Sequence, residues 1–378
     1  MILKPLRWYF FMEQELTSKS VAIIGGGPAG CACAYFLQKY CDVTIFDKGA
    51  FLRTLLPTGG GKCNLAHAEF DFKELAKNYP RGEKFLYSIF SKFDTSDTLE
   101  FFKSIGVDTY TRDDGCIFPV SNSSADVRSK LLKTLKCKFA KEEVIKIENG
   151  FKIETNKSKY FFDYVVIAIG GHAGVDLINK LNINVIEQTP SLVGFTTKED
   201  FSTLAGVSIN GLLFTHKGVS GPYIYKYSSI NARKSFPFKM SIKLAEIDNF
   251  QDMLNKNPHK DIKNIISEFI PKSLAEYILG EDKNKKCHAI DGKTRDKILQ
   301  KLYNFEFTVT GKVLDGEVVT CGGVDLKEVN PKTLECKKYK DLYFCGEILD
   351  IDGFCGGFNL QNCWSTGYVC AESIKNNL

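Results

Sequence analysis

The stretch from Val21 to Asp47, VAIIGGGPAGCACAYFLQKYCDVTIFD, constrains the fold of this chain more than any other. A β-prone run from Val21 to Ile24 meets Gly25-Gly26-Gly27-Pro28-Ala29-Gly30. The chain then passes into a helix-forming segment ending near Tyr40 and returns through Val43 to Phe46 and Asp47. Strand, glycine turn, helix, strand and acid, in that order, describe a dinucleotide-binding βαβ unit. Gly25 permits the tight turn, Gly27 admits a pyrophosphate to the backbone, and Gly30 lets the helix lie close to the sheet. The helix start at Pro28 and Ala29 offers unpaired N–H groups and a positive dipole end to the phosphates. Asp47, with Lys48 beside it, stands where an acid takes the hydroxyls of an adenosine ribose. A plain glycine loop is the competing reading, and the flanking strands, helix and acid count against it.

The 378 residues allow two domains, and 44% hydrophobic content suits an ordinary globular protein. Lys and Arg number 50 against 45 Asp and Glu, a net charge of +5 spread without long blocks of one sign. Neither a nucleic acid nor an anionic membrane is implied as a partner, and a small-molecule substrate is expected. Thirteen cysteines lack a CxxC pair or a zinc-type Cys/His grouping, which points to reduced thiols in a cytoplasmic protein and to no metal site. Cys31 and Cys33, two apart on a helix, share no face. The run from Trp8 to Met12 is far too short for a membrane span, which needs roughly 18 to 20 apolar residues. Residues 1–19 read as an extension, or as an over-long start with Met12 as the true initiator.

Beyond Asp47, the segment Leu56 to Asn64 has the outline of a P-loop, but Leu56 replaces its first glycine and Cys63 its Ser or Thr. Gly59, Gly60 and Gly61 still make a concavity suited to an anion or a flat ring, with a flexible surface loop as the alternative. Glu83–Phe93, Asp97–Ser104 and Ala125–Leu135 carry apolar residues at helical spacing. Asp113-Asp114-Gly115 and Asn149-Gly150 mark hairpin turns. Tyr160 to Ile169 reads as one buried strand stopping at Gly170-Gly171. From Pro190 to Leu244 the texture is β-like and glycine-rich; from Phe250 to Tyr303 it is lysine-rich and helical; Phe305 to Thr310 is β-like again. This pattern predicts an insertion over 191–311. The nucleotide-binding domain then comprises 20–190 and 312–378, preceded by the extension 1–19.

The last stretch restores the doubly wound pattern. Leu342 to Glu347 is a short strand ending in Gly346 and an acid, and a helix is expected over Leu360–Ile374. An acid at the C-terminal end of a parallel strand suits a polyol such as the ribityl chain of a flavin. The helix N-terminus would stabilise negative charge on a reduced ring. An NAD-only domain needs no such C-terminal return, whereas FAD spans the sheet from adenosine to ring.

The whole chain from about Ser20 resembles the BaiN/YhiN-type flavoproteins, relatives of the fumarate-reductase-like FAD enzymes that are described as NAD(P)/FAD-dependent or aminoacetone-oxidase-like. The resemblance rests on six ordered blocks: GGGPAG (Gly25 to Gly30), GGGKCN (Gly59 to Asn64), THKGVSGP (Thr215 to Pro222), FTVTG (Phe307 to Gly311), CGGVDLKEVNPKTLE (Cys321 to Glu335) and GEILDIDGFCGGFNLQNCWSTG (Gly346 to Gly367). It implies a discontinuous Rossmann-like α/β FAD-binding domain with an inserted β-rich domain carrying a helical excursion. It also implies that Gly60, Gly61, Lys62, Cys63 and Asn64 line the flavin and phosphate side. Gly170 and Gly171 would pass near the adenosine half, Glu347 would meet the ribityl chain, and Asp352, Gly353, Gly356, Gly357, Asn359, Leu360 and Gln361 would surround the isoalloxazine. This chain departs from the family pattern at Lys62 for a usual arginine and at Asp47 for a common glutamate. It also has a short passage from Gly171 through His172-Ala173-Gly174 into a helix.

These features predict an FAD-dependent oxidoreductase, reduced transiently by NAD(P)H in the absence of a second GxGxxG, acting on a small molecule between the FAD and inserted domains. An amine or aminoketone oxidase using oxygen, and a flavin-bound sensing protein, are the alternatives. Cys63 and His216 are the catalytic candidates, each weighed against an ordinary packing or hydrogen-bonding role. Substrate and oligomeric state are left open by the sequence.

Overall fold

The computed structural model describes residues 19–148, 150–171, 175–314 and 319–378. The extension 1–19, apart from Lys19, and the residues Asn149 and His172-Ala173-Gly174 lie outside the described residues. A parallel five-stranded sheet organises the fold. Its spatial order is Leu342–Phe344, Tyr164–Ile167, Ser20–Ile24, Asp42–Phe46 and Lys138–Ala140. The central strand Ser20–Ile24 is buried on both faces, which is why its sequence is a continuous apolar run rather than an alternating one.

Two helices from opposite ends of the chain pack together on this sheet: Pro28–Leu37 after the glycine turn, and the final helix Phe358–Lys375. Small residues make the approach possible. A Cβ on Gly367 would stand 2.7 Å from the Ala29 carbonyl oxygen, and one on Gly30 would stand 2.0 Å from the Gly25 carbonyl oxygen. The final helix begins two residues earlier than its periodicity predicts, because Gly357 takes the left-handed conformation (φ 95°) that starts it at Phe358.

The single strand expected over Tyr160–Ile169 is two. Lys159–Phe161 closes an antiparallel sheet with Lys152–Thr155 and Val144–Glu148, while Tyr164–Ile167 joins the parallel sheet. Asp163 sits at the break and accepts hydrogen bonds from the Ser20 amide (2.9 Å) and hydroxyl (2.8 Å), so the chain changes sheets at a polar anchor that periodicity does not show.

The inserted part is an antiparallel six-stranded sheet in the order Ser208–Ile209, Leu212–Thr215, Gly218–Ser220, Phe195–Thr197, Phe305–Lys312, Phe238–Ile242. Between Phe238–Ile242 and Phe305–Lys312 the chain makes the helical excursion, with helices Phe250–Lys256, Ile262–Ile266, Lys272–Leu279 and Gly292–Tyr303. This part owns a second core around Phe201, Phe214, Phe305 and Phe307. A two-stranded antiparallel ribbon, Val185–Ser191 against Val319–Val324, joins the core of the nucleotide-binding part through Val185 and Val324.

The close helix pair yields a prediction. Gly367→Leu forces a side chain into backbone atoms and lowers stability by about 2 kcal/mol, as overpacking does, read from the midpoint of urea unfolding against the unaltered chain.

Candidate functional site

A cavity of about 400 Å³ opens at the C-terminal edge of the parallel sheet. Gly25, Gly26, Gly27, Pro28 and Ala29 form one wall, and Asp47 and Lys48 stand at the end of the second strand. Gly170, Gly171 and Glu347 close the far side. The cavity therefore gathers three separate parts of the chain at the place where open α/β sheets bind ligands. Gly30 lies beneath it as a packing residue, since its face is filled by the Gly25 carbonyl.

The geometry of each group follows from its local structure. Gly25 takes φ 110°, and a Cβ there would stand 2.2 Å from the Ala168 carbonyl oxygen, so the turn is closed to any other residue. A Cβ on Gly27 would meet only the Thr54 hydroxyl, at 3.7 Å, which leaves the backbone open on the cavity side. Asp47 accepts from the Gly26 amide (2.8 Å) and the Gly49 amide (2.6 Å), fixing the carboxylate at the rim. Lys48 pairs with Glu143 at 3.3 Å. Arg53 and Thr54 also line the cavity and were missed by sequence reading. Leu52 takes a left-handed conformation and donates its N–H to the Gly26 carbonyl (2.7 Å), swinging the following residues over the opening.

Two helix N-termini differ from others in this domain. Pro28–Leu37 and Phe358–Lys375 have no side-chain cap and no acid in their first turns. By contrast, Asp71, Asp94 and Ser123 cap the helices Phe72–Ala76, Thr95–Ser104 and Ser124–Thr134. Uncapped N–H groups at a cavity are an anion site in waiting.

The second glycine loop meets the C-terminal loop. Gly60 (φ 66°) and Gly61 (φ 84°) have no atom within 4 Å of a Cβ position, and Lys62 is exposed beside them. Asn64, with its amide set to satisfy both groups, accepts from the Gly357 amide (3.0 Å) and donates to the Ala66 carbonyl (3.0 Å). Gly356 is held by His67, whose Nδ1 lies 3.1 Å from the Gly356 carbonyl and whose ring stacks on Phe358 at 4.6 Å. His67 carried no motif in the sequence.

Several residues expected around the isoalloxazine turn elsewhere. Asp352 is fully buried and forms a bidentate ion pair with Arg81, accepting also from the hydroxyls of Ser191 (2.7 Å) and Ser229 (3.2 Å). Its carboxylate is a junction between chain segments, not a ring contact. Gln361 points into the interior, where its amide donates to the Asp94 carbonyl (3.1 Å), Thr98 (2.8 Å) and Ser365 (2.9 Å). Asn359 is spent on both backbone groups of Gly353 (2.8 and 2.9 Å), and Leu360 packs on the main core. What this loop offers a ring is backbone. Gly346 is likewise a packing residue, its face filled by the Ala29 methyl at 2.6 Å.

The two catalytic candidates also move. Cys63 is fully buried, and burial pushes its thiol up to about 12, so it is a neutral packing group at physiological pH. His216 is exposed on the turn between Leu212–Thr215 and Gly218–Ser220 and does not line the cavity.

FAD fits these residues on three grounds of the structure. The cavity has the glycine wall and rim carboxylate that an ADP moiety uses. Gly60 and Gly61 face open space. The Thr320 hydroxyl, buried beside Gly171 and Glu347, has no hydrogen-bond partner. The chain matches the HI0933-like protein Rossmann domain over residues 19–373. It belongs to that family. Its fold is a Rossmann-like FAD-binding one with an inserted β-rich and helical domain. Over 93% of its length the chain is 29% identical to a ribosomal RNA dihydrouridine synthase of Haemophilus influenzae, covering 98% of that protein. It is 27% identical to a 3-dehydro-bile acid delta(4,6)-reductase of Clostridium scindens, with the same two coverages. Among solved structures, the Mycobacterium smegmatis Sdh1 complex in the apo form shares the fold at a TM-score of 0.51 and 12% identity, over 95% of this chain and 68% of that one. No helix among the described residues is long and apolar enough to cross a membrane.

Two outcomes are expected. Asp352→Ala leaves Arg81 beside an emptied pocket and costs about 3 kcal/mol of stability, and replacing Arg81 with Met at the same time recovers most of it; denaturant unfolding of the double-mutant cycle reads both. Iodoacetamide at pH 8 labels the exposed Cys355 and leaves Cys63 unmodified until the protein is unfolded, read by mass spectrometry of the peptides.

Proposed function

We propose that this protein is an FAD-dependent oxidoreductase, reduced by NAD(P)H, that saturates a carbon–carbon double bond conjugated to a carbonyl. The observation that carries the flavin half of this reading is the three-part cavity, in which Gly25–Ala29, Asp47 and Glu347 converge. FAD, when bound, accepts a hydride equivalent from a donor and delivers it to an acceptor. The balance is NAD(P)H, a proton and the alkene giving NAD(P)⁺ and the saturated product.

The acceptor class comes from the relatives. Dihydrouridine is uridine with its ring double bond saturated, and a delta(4,6)-reductase of a 3-oxo acid saturates bonds conjugated to that ketone. The two substrates share a conjugated carbonyl and little else. The chain's own residues would then have two tasks: Asp47 and the uncapped start of Pro28–Leu37 would hold the dinucleotide, and the Gly353–Gly357 backbone would meet the ring. The acceptor is read as a small cytoplasmic molecule, in line with the even spread of charge. A uracil ring in RNA is the second reading, favoured by the near full-length match to the ribosomal RNA dihydrouridine synthases of Haemophilus influenzae and Escherichia coli.

Anaerobic titration of the yellow protein decides the first half: NADH or NADPH is expected to bleach the flavin band within seconds, and failure of both to do so overturns the nicotinamide reading. Adding a conjugated enone, or unmodified ribosomal RNA, to the reduced protein should restore the band. Restoration by RNA alone selects the second reading. Peroxide formed on adding an aminoketone to the oxidised protein would support an oxidase instead.

A further inference from the structure

A second cavity, of about 420 Å³, lies where the chain leaves the nucleotide-binding part for the insertion and returns. Three segments build it: the ribbon strand Val185–Ser191, the turn that follows helix Pro222–Ile230, and the end of strand Phe305–Lys312. None of its lining residues lines the dinucleotide cavity. Its charge is one-sided. Arg233, Lys234 and Lys312 face it against the single carboxylate of Glu187, in a chain where cations and carboxylates otherwise nearly balance.

These cations are held in place. Lys312 is half-buried and donates to the Thr189 hydroxyl (2.8 Å), the Pro190 carbonyl (2.7 Å) and the Ala232 carbonyl (2.7 Å); it supplies fixed charge with all three donors in use. Arg233 donates to the Glu187 carbonyl (3.2 Å) and lies 3.8 Å from Asp350, which leaves further N–H groups of its planar fork for a ligand. Lys234 sits over the Phe238 ring at 4.2 Å, with its amine 3.1 Å from the Tyr227 hydroxyl. Phe236, Pro190 and Leu314 give the same cavity an apolar wall. The volume is within the range of organic ligand sites, roughly 300 to 1,000 Å³, and is more than a bare phosphate needs.

Fixed cations next to an aromatic and aliphatic wall recognise a phosphorylated nucleoside: an arginine fork for the phosphate and an apolar face for the base. The position suits a donor. Arg233 reaches Asp350, two residues before Asp352 on the loop that leads to the Gly353–Gly357 backbone.

We propose that this cavity receives the adenosine 2′-phosphate end of NADPH, with Arg233 and Lys234 on the phosphate and Phe236 on the base, so that the protein prefers NADPH over NADH. The inference rests on the nicotinamide reading above, and its test separates the two. Flavin-loaded protein is titrated calorimetrically with 2′,5′-ADP and, separately, with 5′-AMP. The first should bind at least tenfold more tightly, and Arg233→Ala or Lys234→Ala should remove that margin while flavin occupancy and thermal midpoint stay those of the parent. In stopped-flow reduction, the ratio of NADPH to NADH efficiency should fall at least tenfold in each variant, with Arg233→Lys intermediate because it keeps charge and loses the fork. Equal binding of 2′,5′-ADP and 5′-AMP overturns the inference even if both nicotinamides bleach the flavin. Selective 2′,5′-ADP binding supports the site even if neither does. A single-stranded RNA oligonucleotide that binds more tightly than 2′,5′-ADP, and does so through Arg233, also overturns it.

Discussion

A carboxylate removed wholly from water holds the junction of this protein together. Asp352 lies on the C-terminal loop, Arg81 on the N-terminal part, Ser191 at the end of the ribbon and Ser229 on the insertion, and all four meet at one pair of oxygens. Burying such a pair is costly, with a penalty of several kcal/mol per ion that only good geometry and added hydrogen bonds repay. The four groups therefore come into register together or leave a charge stranded. The insertion, through Ser229, and the loop leading to Gly353–Gly357, through Asp352, are tied at that one carboxylate. The same pair accounts for Asp352 not being a ring ligand, since both its oxygens are committed.

The dinucleotide cavity depends on a different economy, one of groups left unused. The helices Phe72–Ala76, Thr95–Ser104 and Ser124–Thr134 satisfy first N–H groups with Asp71, Asp94 and Ser123, and Glu83–Phe90 carries Glu83 in its first turn, whereas Pro28–Leu37, which starts on the cavity wall, and Phe358–Lys375 have neither a cap nor an acid. Their dipoles point where phosphate and a reduced ring would carry negative charge. Their close packing is made possible by Gly367, whose face meets Ala29, Ala32 and Cys33, while Gly30 lets the first helix lie against Gly25 and Ile23 of the turn and sheet. Packing and binding thus fall to different glycines, Gly30 and Gly367 for the first and Gly25 to Gly27 for the second.

Strands, turns and the glycine motif were legible in the sequence because their causes are local. An apolar run that stops at paired glycines predicts one strand over Tyr160–Ile169, of which the part Tyr164–Ile167 joins the parallel sheet, and glycine spacing with a distant acid predicts the walls of the cavity. The side chains of the C-terminal loop were not legible. A motif marks Asp352, Asn359 and Gln361 as belonging near the ring, but whether each faces a ligand or a neighbour depends on Arg81, Gly353 and Asp94, two of which lie more than 250 residues away in the chain. Arg53 and His67 were missed for the complementary reason: one is swung into place by the left-handed Leu52, the other by a carbonyl at Gly356, and neither geometry leaves a pattern in composition or spacing. Cys63 shows the limit of proximity in a motif, since burial alone removes its reactivity.

The ribbon strand Val319–Val324 touches the walls of both cavities. Successive side chains of a strand point to opposite faces. Thr320 turns to Gly171 and donates its N–H to Glu347 (2.7 Å), on the side of the dinucleotide cavity. Its register partner Pro190 and that of Cys321, Thr189, both line the second cavity, and Cys321 lies among Arg81, Arg233 and Asp352. Gly322 and Gly323 then admit the backbones of Glu187 and Ile348 so closely that any Cβ would stand 2.3 and 2.2 Å from their carbonyl oxygens, which pins the register. The glycine-walled site, lined by Asp47, Glu142, Glu143 and Glu347 against Lys48 and Arg53, carries the opposite balance of charge from the cationic one. Two nucleotides held in these cavities would not compete for a phosphate, because no residue lines both.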